Sequence, residues 1–154
     1  MPLSFPPDSA IIQPIVHQLA TALSSQIPGL GFVYEQPPDK AVENKAVLIV
    51  LRKFKIEGDT NAKLYVRLTF GIYVLFRPTK LGDDIAQAYT YLNPVLQVLA
   101  AWPNQTLTDS FGTDHAIEVC PTDGGVTRWP QAATGHLALV VNCDVLTEFN
   151  IATH

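Results

Sequence analysis

The chain has 154 residues, of which 47% are apolar and 16% are charged, and its formal net charge at pH 7 is −4. This length indicates one globular domain, and the charged share, below the roughly 25% typical of soluble domains, favours an oligomer whose surface is partly covered by partners. Because affinity for nucleic acid depends on Lys and Arg side chains that neutralise phosphates, the acidic balance argues against specific DNA or RNA binding.

The N-terminal segment predicts an irregular lead-in followed by a helix. Three prolines in residues 1–8 disfavour regular structure. Asp8 or Ser9 is a suitable helix cap, and the helix is expected to run from about Ile12 to the Pro-Gly pair that follows Ile27. Its apolar stripe recurs at steps of three and four residues and consists of Ile12, Ile15, Val16, Leu19, Leu23 and Ile27.

The centre of the sequence predicts a long antiparallel β-hairpin. Residues 31–35 are a candidate short strand, and two longer runs follow at residues 46–57 and 63–78, separated by the turn sequence GDTN at residues 58–61. The second run alternates apolar and other residues and would extend about 40 Å, whereas an ordinary strand extends about 17–20 Å.

The two runs match each other only in an antiparallel pairing. Residues 47–51 and 74–76, far from the turn, are apolar on both faces, whereas both runs alternate beside the turn. The base of the hairpin is therefore predicted to be buried on both faces, and its tip to project with one polar face. On that polar face lie the candidate contacts with other subunits or partners, which are Lys53, Lys55, Tyr65, Arg67, Thr69 and Tyr73.

A second helix is predicted over residues 83–102. Asp83 and Asp84 are candidate caps, and Pro94 is expected to kink the helix or to divide it in two. Its apolar stripe consists of Ile85, Ala88, Tyr89, Leu92, Leu96, Leu99 and Trp102.

The C-terminal third predicts two or three strands. Residues 106–118 hold one or two short strands, with 116–120 the better candidate; residues 121–130 form a loop or hairpin turn, and residues 136–149 form the last strand. This order indicates one α+β domain over residues 1–154, with a mainly antiparallel sheet around a long central hairpin and two helices on one face. A neighbouring copy is expected to cover the other face of the base.

We expect no catalytic, cofactor or metal site, and the protein is not expected to be an enzyme. Ser110, Asp114 and His115 are the residue types of a hydrolase triad, but the sequence has no Gly-x-Ser-x-Gly elbow, and adjacent residues of a strand point to opposite faces. The four histidines are scattered, and the two cysteines lack the C-x-x-C spacing of a metal site.

The location of the chain is inferred from its hydropathy. No run approaches the roughly 20 apolar residues that span a bilayer, and the N-terminus lacks the basic flank and apolar core of a signal peptide. The chain is therefore expected to fold in a cytoplasm, where Cys120 and Cys143 stay reduced. Both cysteines fall in predicted strands and are expected to be small core residues.

A known family shows the same order of elements. The helix ends in IPGL, the short strand reads GFVYEQ, the hairpin reads AVLIVLRKFKIEGDTNAKLYVRLTFGIYVLFRP, and the final strand reads GHLALVVNCDVL. This arrangement resembles the tail terminator, or tail-completion, proteins of long-tailed bacteriophages over roughly residues 9–144. The resemblance rests on element order, size and the form of the hairpin.

The resemblance implies a ring, usually a hexamer, that stops polymerisation of the tail tube and docks the tail to the neck or head. The implied partners are further copies of the chain, the tail tube protein, a sheath where one is present, and a neck or head-completion protein. DNA would pass through the ring without specific binding, which suits an acidic protein because phosphates are repelled. The implied location is the head–tail junction of the virion, reached after assembly in the host cytoplasm.

Two alternatives stay open. The first is another phage neck, connector or baseplate component with a similar fold. The second is a small cellular α+β enzyme or ligand-binding domain whose pocket is lined by Tyr89, Tyr91, His115 and Trp129. Genes for tail tube, sheath or portal proteins beside this one would favour the phage hypotheses.

Overall fold

A computed structural model describes residues 11–36, 38, 43–59, 63–77, 81–129 and 136–150. The predicted lead-in, its candidate caps Asp8 and Ser9, and residues 60 and 61 of the predicted turn lie outside these ranges. The described elements are helix α1 (Ile12–Gln26), strands β1 (Val33–Tyr34), β2 (Val47–Asp59) and β3 (Lys63–Phe76), helix α2 (Leu81–Ala100), a 3-10 turn (Trp102–Asn104), and strands β4 (Glu118–Trp129) and β5 (His136–Asn150).

The strands form one five-stranded sheet in the order β1-β2-β3-β5-β4. The short strand β1 runs parallel to β2, and the other three pairings are antiparallel. Strand β3 lies at the centre and pairs along its whole length with β5. The fold is therefore α+β with a mainly antiparallel sheet, as the sequence predicted.

The predicted hairpin pairing is confirmed. Val47 lies opposite Val74 at the base, and Lys55 lies opposite Arg67 near the turn. The register shifts once between Leu51 and Lys53 and again between Ile56 and Gly58, so β2 carries two bulges. Below, the hairpin base means residues 46–51 and 70–76, and the hairpin tip means residues 52–59 and 63–69.

Both helices cover one face of the sheet and form the main core with it. Apolar side chains at three- and four-residue spacing give α1 one buried stripe, and α2 packs beside it. Alternate residues of β3 meet these helices, because successive side chains of a strand point to opposite faces. The largest fully buried side chains of this core are Ile15, Leu19, Leu23, Ile49, Phe70, Ile72, Phe76 and Leu99.

The opposite face of the hairpin base is also buried. A second, smaller cluster contains Leu48, Leu75 and Ala138, each without exposed surface, and Tyr34 and Tyr73 pack at its margin. The prediction that the base is buried on both faces is confirmed. The prediction that the tip projects is wrong, because residues 63–69 pair with β5 and remain part of the sheet. The expectation that a neighbouring copy must cover this face is wrong, because these side chains are already shielded from solvent within one chain.

Helix α2 departs from the prediction at its start, and of the two predicted effects of Pro94, a kink or a division, the structure excludes the division. It begins at Leu81, so Asp83 lies in its first turn, where the helix dipole favours a negative charge, and is not the cap. The helix continues through Pro94 to Ala100 without a break, so Pro94 does not divide it. Packing of the flanking stripe, including the buried Val95, offsets the hydrogen bond that proline removes.

Strand β4 corrects the prediction for the C-terminal third. Residues 121–130 were predicted as a loop or turn, but residues through Trp129 continue β4 and pair with β5. A strand at the sheet edge tolerates Pro121 because its outer side needs no hydrogen-bond donor. Gly124 fits for a separate reason: a Cβ atom there would lie 2.0 Å from the carbonyl oxygen of Val140.

The two cysteines differ in environment. Cys143 is buried in the main core, as predicted, and burial raises the pKa of its thiol to about 12. Cys120 is exposed on the edge strand β4, so its prediction as a core residue is wrong. Within the described residues, neither helix is long and apolar enough to cross a membrane.

Candidate functional site

The hairpin tip presents a polar face on the side of the sheet away from the helices. Lys53 lies opposite Thr69 and Lys55 lies opposite Arg67, and both lysines are exposed. Tyr65 continues the same face toward the turn and is half-buried. Five of the six predicted contact residues therefore lie together on one face of the tip.

The sixth predicted residue lies elsewhere on the same face. Tyr73 belongs to the hairpin base, where it packs against the second apolar cluster. Its ring also lies close to Gly71, at which a Cβ atom would come within 2.8 Å of the ring. Tyr73 therefore contributes to the packing of the base.

Ion pairs join residues of four strands on the polar face, which are β2, β3, β4 and β5. The Nε atom of Arg67 donates to Glu57 at 2.7 Å, and its Nη1 atom lies 3.9 Å from Glu118 of β4. The hydrogen bond from Arg67 lowers the pKa of Glu57, and Glu57 in turn raises the pKa of Arg67. Near the turn, Lys63 pairs with Glu148 at 3.3 Å. The charges of the tip are thus arranged in register with those of β4 and β5.

A polar depression of about 510 Å³ lies on this face between the tip and β4. Arg52 crosses the sheet over Gly71 and donates to the side-chain oxygen of Asn142 at 3.0 Å. Asn142 donates in turn to Asp123 at 2.9 Å, and this hydrogen bond is the main reason that the pKa of Asp123 is lowered. Thr69 donates to Asp144 at 2.7 Å. Most of the polar side chains that line the depression are therefore hydrogen-bonded to one another.

The other side of the tip is apolar and open. Phe54 and Ile56 lie on the helix side of β2, and they are 67% and 57% exposed. Their partners on β3, Leu68 and Val66, are buried, so exposure is confined to the outer strand. The alternation in the sequence placed Phe54 and Ile56 on one face, but only the position of β2 at the sheet edge reveals that this face is uncovered.

A second open apolar surface lies at the opposite edge of the sheet. A groove of about 390 Å³ runs between α2 and β4, and its floor includes Gly124. Tyr89, 67% exposed, stands at its margin. Below, the α2–β4 groove means the surface lined by Tyr89, Leu92, Leu96, Gly124, Val126 and Leu139.

His115 and Asp114, two of the residue types of a hydrolase triad, have separate hydrogen-bond partners. The Nε2 atom of His115 lies 2.9 Å from Asp109, whereas Asp114 accepts a hydrogen bond from Thr108. The hydrogen bond from His115, together with the backbone N–H groups of Thr113 and Phe111, lowers the pKa of Asp109. Asp109 thus fixes a tight loop, which is a structural task for the pair.

Of the four residues of the alternative pocket, the three whose side chains the structure describes do not converge. Tyr89 lines the α2–β4 groove, whereas His115 lines a depression beside α1. Tyr91 packs against Phe76 in the core, with its hydroxyl 3.4 Å from the carbonyl oxygen of Gly29. The side chain of Trp129 lies outside the described part of the chain.

Comparison with known proteins identifies no family for this chain. No protein-family model matches the chain, and no curated protein matches its sequence. In the portion of the chain that the structure describes, no three His, Cys, Asp or Glu side chains are grouped closely enough to hold a metal ion. The exposed surfaces described above are therefore the basis for proposing a function.

Proposed function

We propose that this protein is a ring-forming structural subunit at the head–tail junction of a long-tailed bacteriophage, where it ends tail-tube polymerisation and docks the tail to the neck or head. The observation that carries the proposal is the hairpin tip, on which Phe54 and Ile56 are exposed beside Lys53 and Lys55. Exposed apolar side chains on an edge strand favour burial against a partner.

The hairpin base supports this role by holding the tip in place. Leu48 and Leu75 on one face, and Phe70 and Ile72 on the other, are fully or almost fully buried. Because the base is buried, the tip is held in place before it meets a partner. This lowers the entropic cost of association. The same hairpin therefore combines an anchor with a contact surface.

Charge fits the proposed location. The formal net charge of −4 would repel DNA that moves through a ring of these subunits. The proposed partners are further copies of the chain, the tail tube protein, a sheath where one is present, and a neck or head-completion protein. Particles would carry the protein at the head–tail junction after assembly in the host cytoplasm.

Deletion of the gene from the phage that carries it tests the proposal. We expect tails of abnormal length that are separate from filled heads in electron micrographs, and infectious particles should return when the wild-type gene is supplied. The His115→Ala variant should restore them equally well, because no chemical step is assigned to His115. Normal tails joined to heads without the gene would refute the proposal, and a defect confined to the baseplate would favour another tail component.

A further inference from the structure

The two open apolar surfaces lie on the same side of the sheet at opposite edges. Phe54 and Ile56, called the apolar flank below, lie on β2, which pairs with β1 only at Val47 and Leu48 and is otherwise an edge strand. The α2–β4 groove lies at the other edge, beside β4. Both surfaces face the helix side, since Phe54 lies opposite the core residue Leu68 and Val126 lies opposite the core residue Leu139.

The directions of the two edge strands suit a head-to-tail contact. The three pairings β2–β3, β3–β5 and β5–β4 are all antiparallel, so β2 and β4 run in opposite directions. A second copy displaced in the plane of the sheet, both sideways and along the strands, therefore places its β2 antiparallel to β4 of the first, with both helix sides on the same face. A contact of this kind is heterologous, and repeated rotation closes it into a ring.

The side chains of the two edges are complementary in that arrangement. In an antiparallel pairing that sets Phe54 of one copy opposite Gly124 of the next, Lys55 comes opposite Asp123, because both strands advance one residue at a time in opposite directions. Gly124 lines the groove, so this pairing brings the Phe54 ring to the groove. Lys55 and Asp123 lie on the other face, and both are exposed.

We propose that a second copy of this chain docks its apolar flank in the α2–β4 groove, with Phe54 over Gly124 and Lys55 beside Asp123. The inference rests on the self-assembly in the proposed function and deepens it by naming the contact. Lysines and bulges on an edge strand discourage indiscriminate pairing, and β2 carries both. A carboxylate opposite Lys55 removes that obstacle for the matching edge alone, which gives the contact its selectivity.

Two single variants and their mixture test the contact by sedimentation of the full chain. Phe54→Asp breaks the flank and Tyr89→Asp breaks the groove, and both positions are 67% exposed, so folding should be retained. We expect self-association about 30-fold weaker for each variant alone, the size of effect typical of a central interface aromatic. Mixed together, the two variants should form a one-to-one dimer, because one intact flank meets one intact groove.

Two further sets of variants separate the contact from general surface effects. Phe111→Asp and Trp102→Asp change aromatic side chains that are 91% and 87% exposed elsewhere, and both should associate like the wild type. Lys55→Glu and Asp123→Lys should each weaken association about fivefold, and the double variant should recover it. Thermal unfolding of each variant checks that the fold is intact.

The results also distinguish a failure of this contact from a failure of the proposed function. A wild-type chain that stays monomeric up to about 1 mM, or a mixture of the two single variants that forms no dimer, would overturn the inference. A wild-type ring with a failed mixture would place the contact elsewhere and leave the proposed function standing. A successful mixture from a protein whose gene deletion leaves tails normal would keep the contact and reject the phage function.

Discussion

The base and the tip of the β2–β3 hairpin share one apolar alternation but differ in what surrounds it. At the base, Leu48 and Leu75 have no exposed surface although they point away from both helices. At the tip, Phe54 and Ile56 are mostly exposed although they point to the helix side. Burial in this sheet therefore depends on position along the hairpin as well as on the face that a side chain occupies.

The base and the tip of the hairpin therefore have different roles, which are stability of the single chain for the base and contact with partners for the tip. Side chains that are buried within the chain contribute to its own stability, since apolar burial gives roughly 25 cal/mol per Å². Large apolar side chains left exposed contribute nothing comparable until another surface covers them. Substitutions at the base should therefore act on folding, and substitutions at the tip should act on assembly.

The largest effect is expected at the far face of the base. Leu75→Ala should lower the free energy of unfolding by about 2–5 kcal/mol, because the removed atoms leave a cavity in a fully packed cluster. Chemical denaturation followed by circular dichroism measures the change. A loss below about 1 kcal/mol would mean that this face of the base is not a true core, and the contrast with the tip would disappear.

A smaller effect is expected where base and tip meet. A Cβ atom at Gly71 would lie 2.8 Å from the Tyr73 ring and 3.1 Å from Cδ of Arg52, so Gly71→Ala should cost about 1–2 kcal/mol as these side chains shift. The matched control is Gly125→Ala, because no atom lies near its Cβ position. Equal unfolding free energies for the two variants would show that the crossing of Arg52 over Gly71 is loose.

Acid should loosen the tip and leave the base unchanged. The hydrogen bond from Arg67 holds the folded pKa of Glu57 below its ordinary value of 4.5, so the stabilisation is complete above pH 4.5 and is lost as the pH falls through the folded value. Hydrogen-exchange protection of the Lys55 and Arg67 amides should therefore fall in that range. Glu57→Gln should remove this pH dependence, and equal loosening at Leu75 would contradict the contrast.

The smallest effect on stability is expected at the apolar flank. Phe54→Ser should change the free energy of unfolding by no more than about 0.5 kcal/mol, because the ring is 67% exposed in the single chain. Denaturation at low protein concentration, where copies stay apart, is the appropriate measurement. A loss near that of Leu75→Ala would show that the flank belongs to the fold of the single chain.

Sequence patterns predicted the hairpin better than they predicted the edge strand β4. Alternation over 14 residues of β3 requires an extended strand, and the matching ends of β2 and β3 fit only an antiparallel pairing. Residues 121–130 carry Pro, Asp and two glycines, which favour a turn when only neighbours in the sequence are considered. Pairing with β5 overrides that preference, because an edge strand needs hydrogen bonds on one side only.

The sequence by itself determined the α+β class, the antiparallel hairpin and the buried stripe of α1, because each follows from a periodicity that only one local structure satisfies. The tertiary structure alone decided which apolar faces are covered, since solvent exposure depends on elements that are distant in the sequence. It placed Leu75 under cover and left Phe54 open, and it joined α2 to β4 in a groove beside Gly124. Residues that meet across such distances leave no mark in the local pattern of either segment.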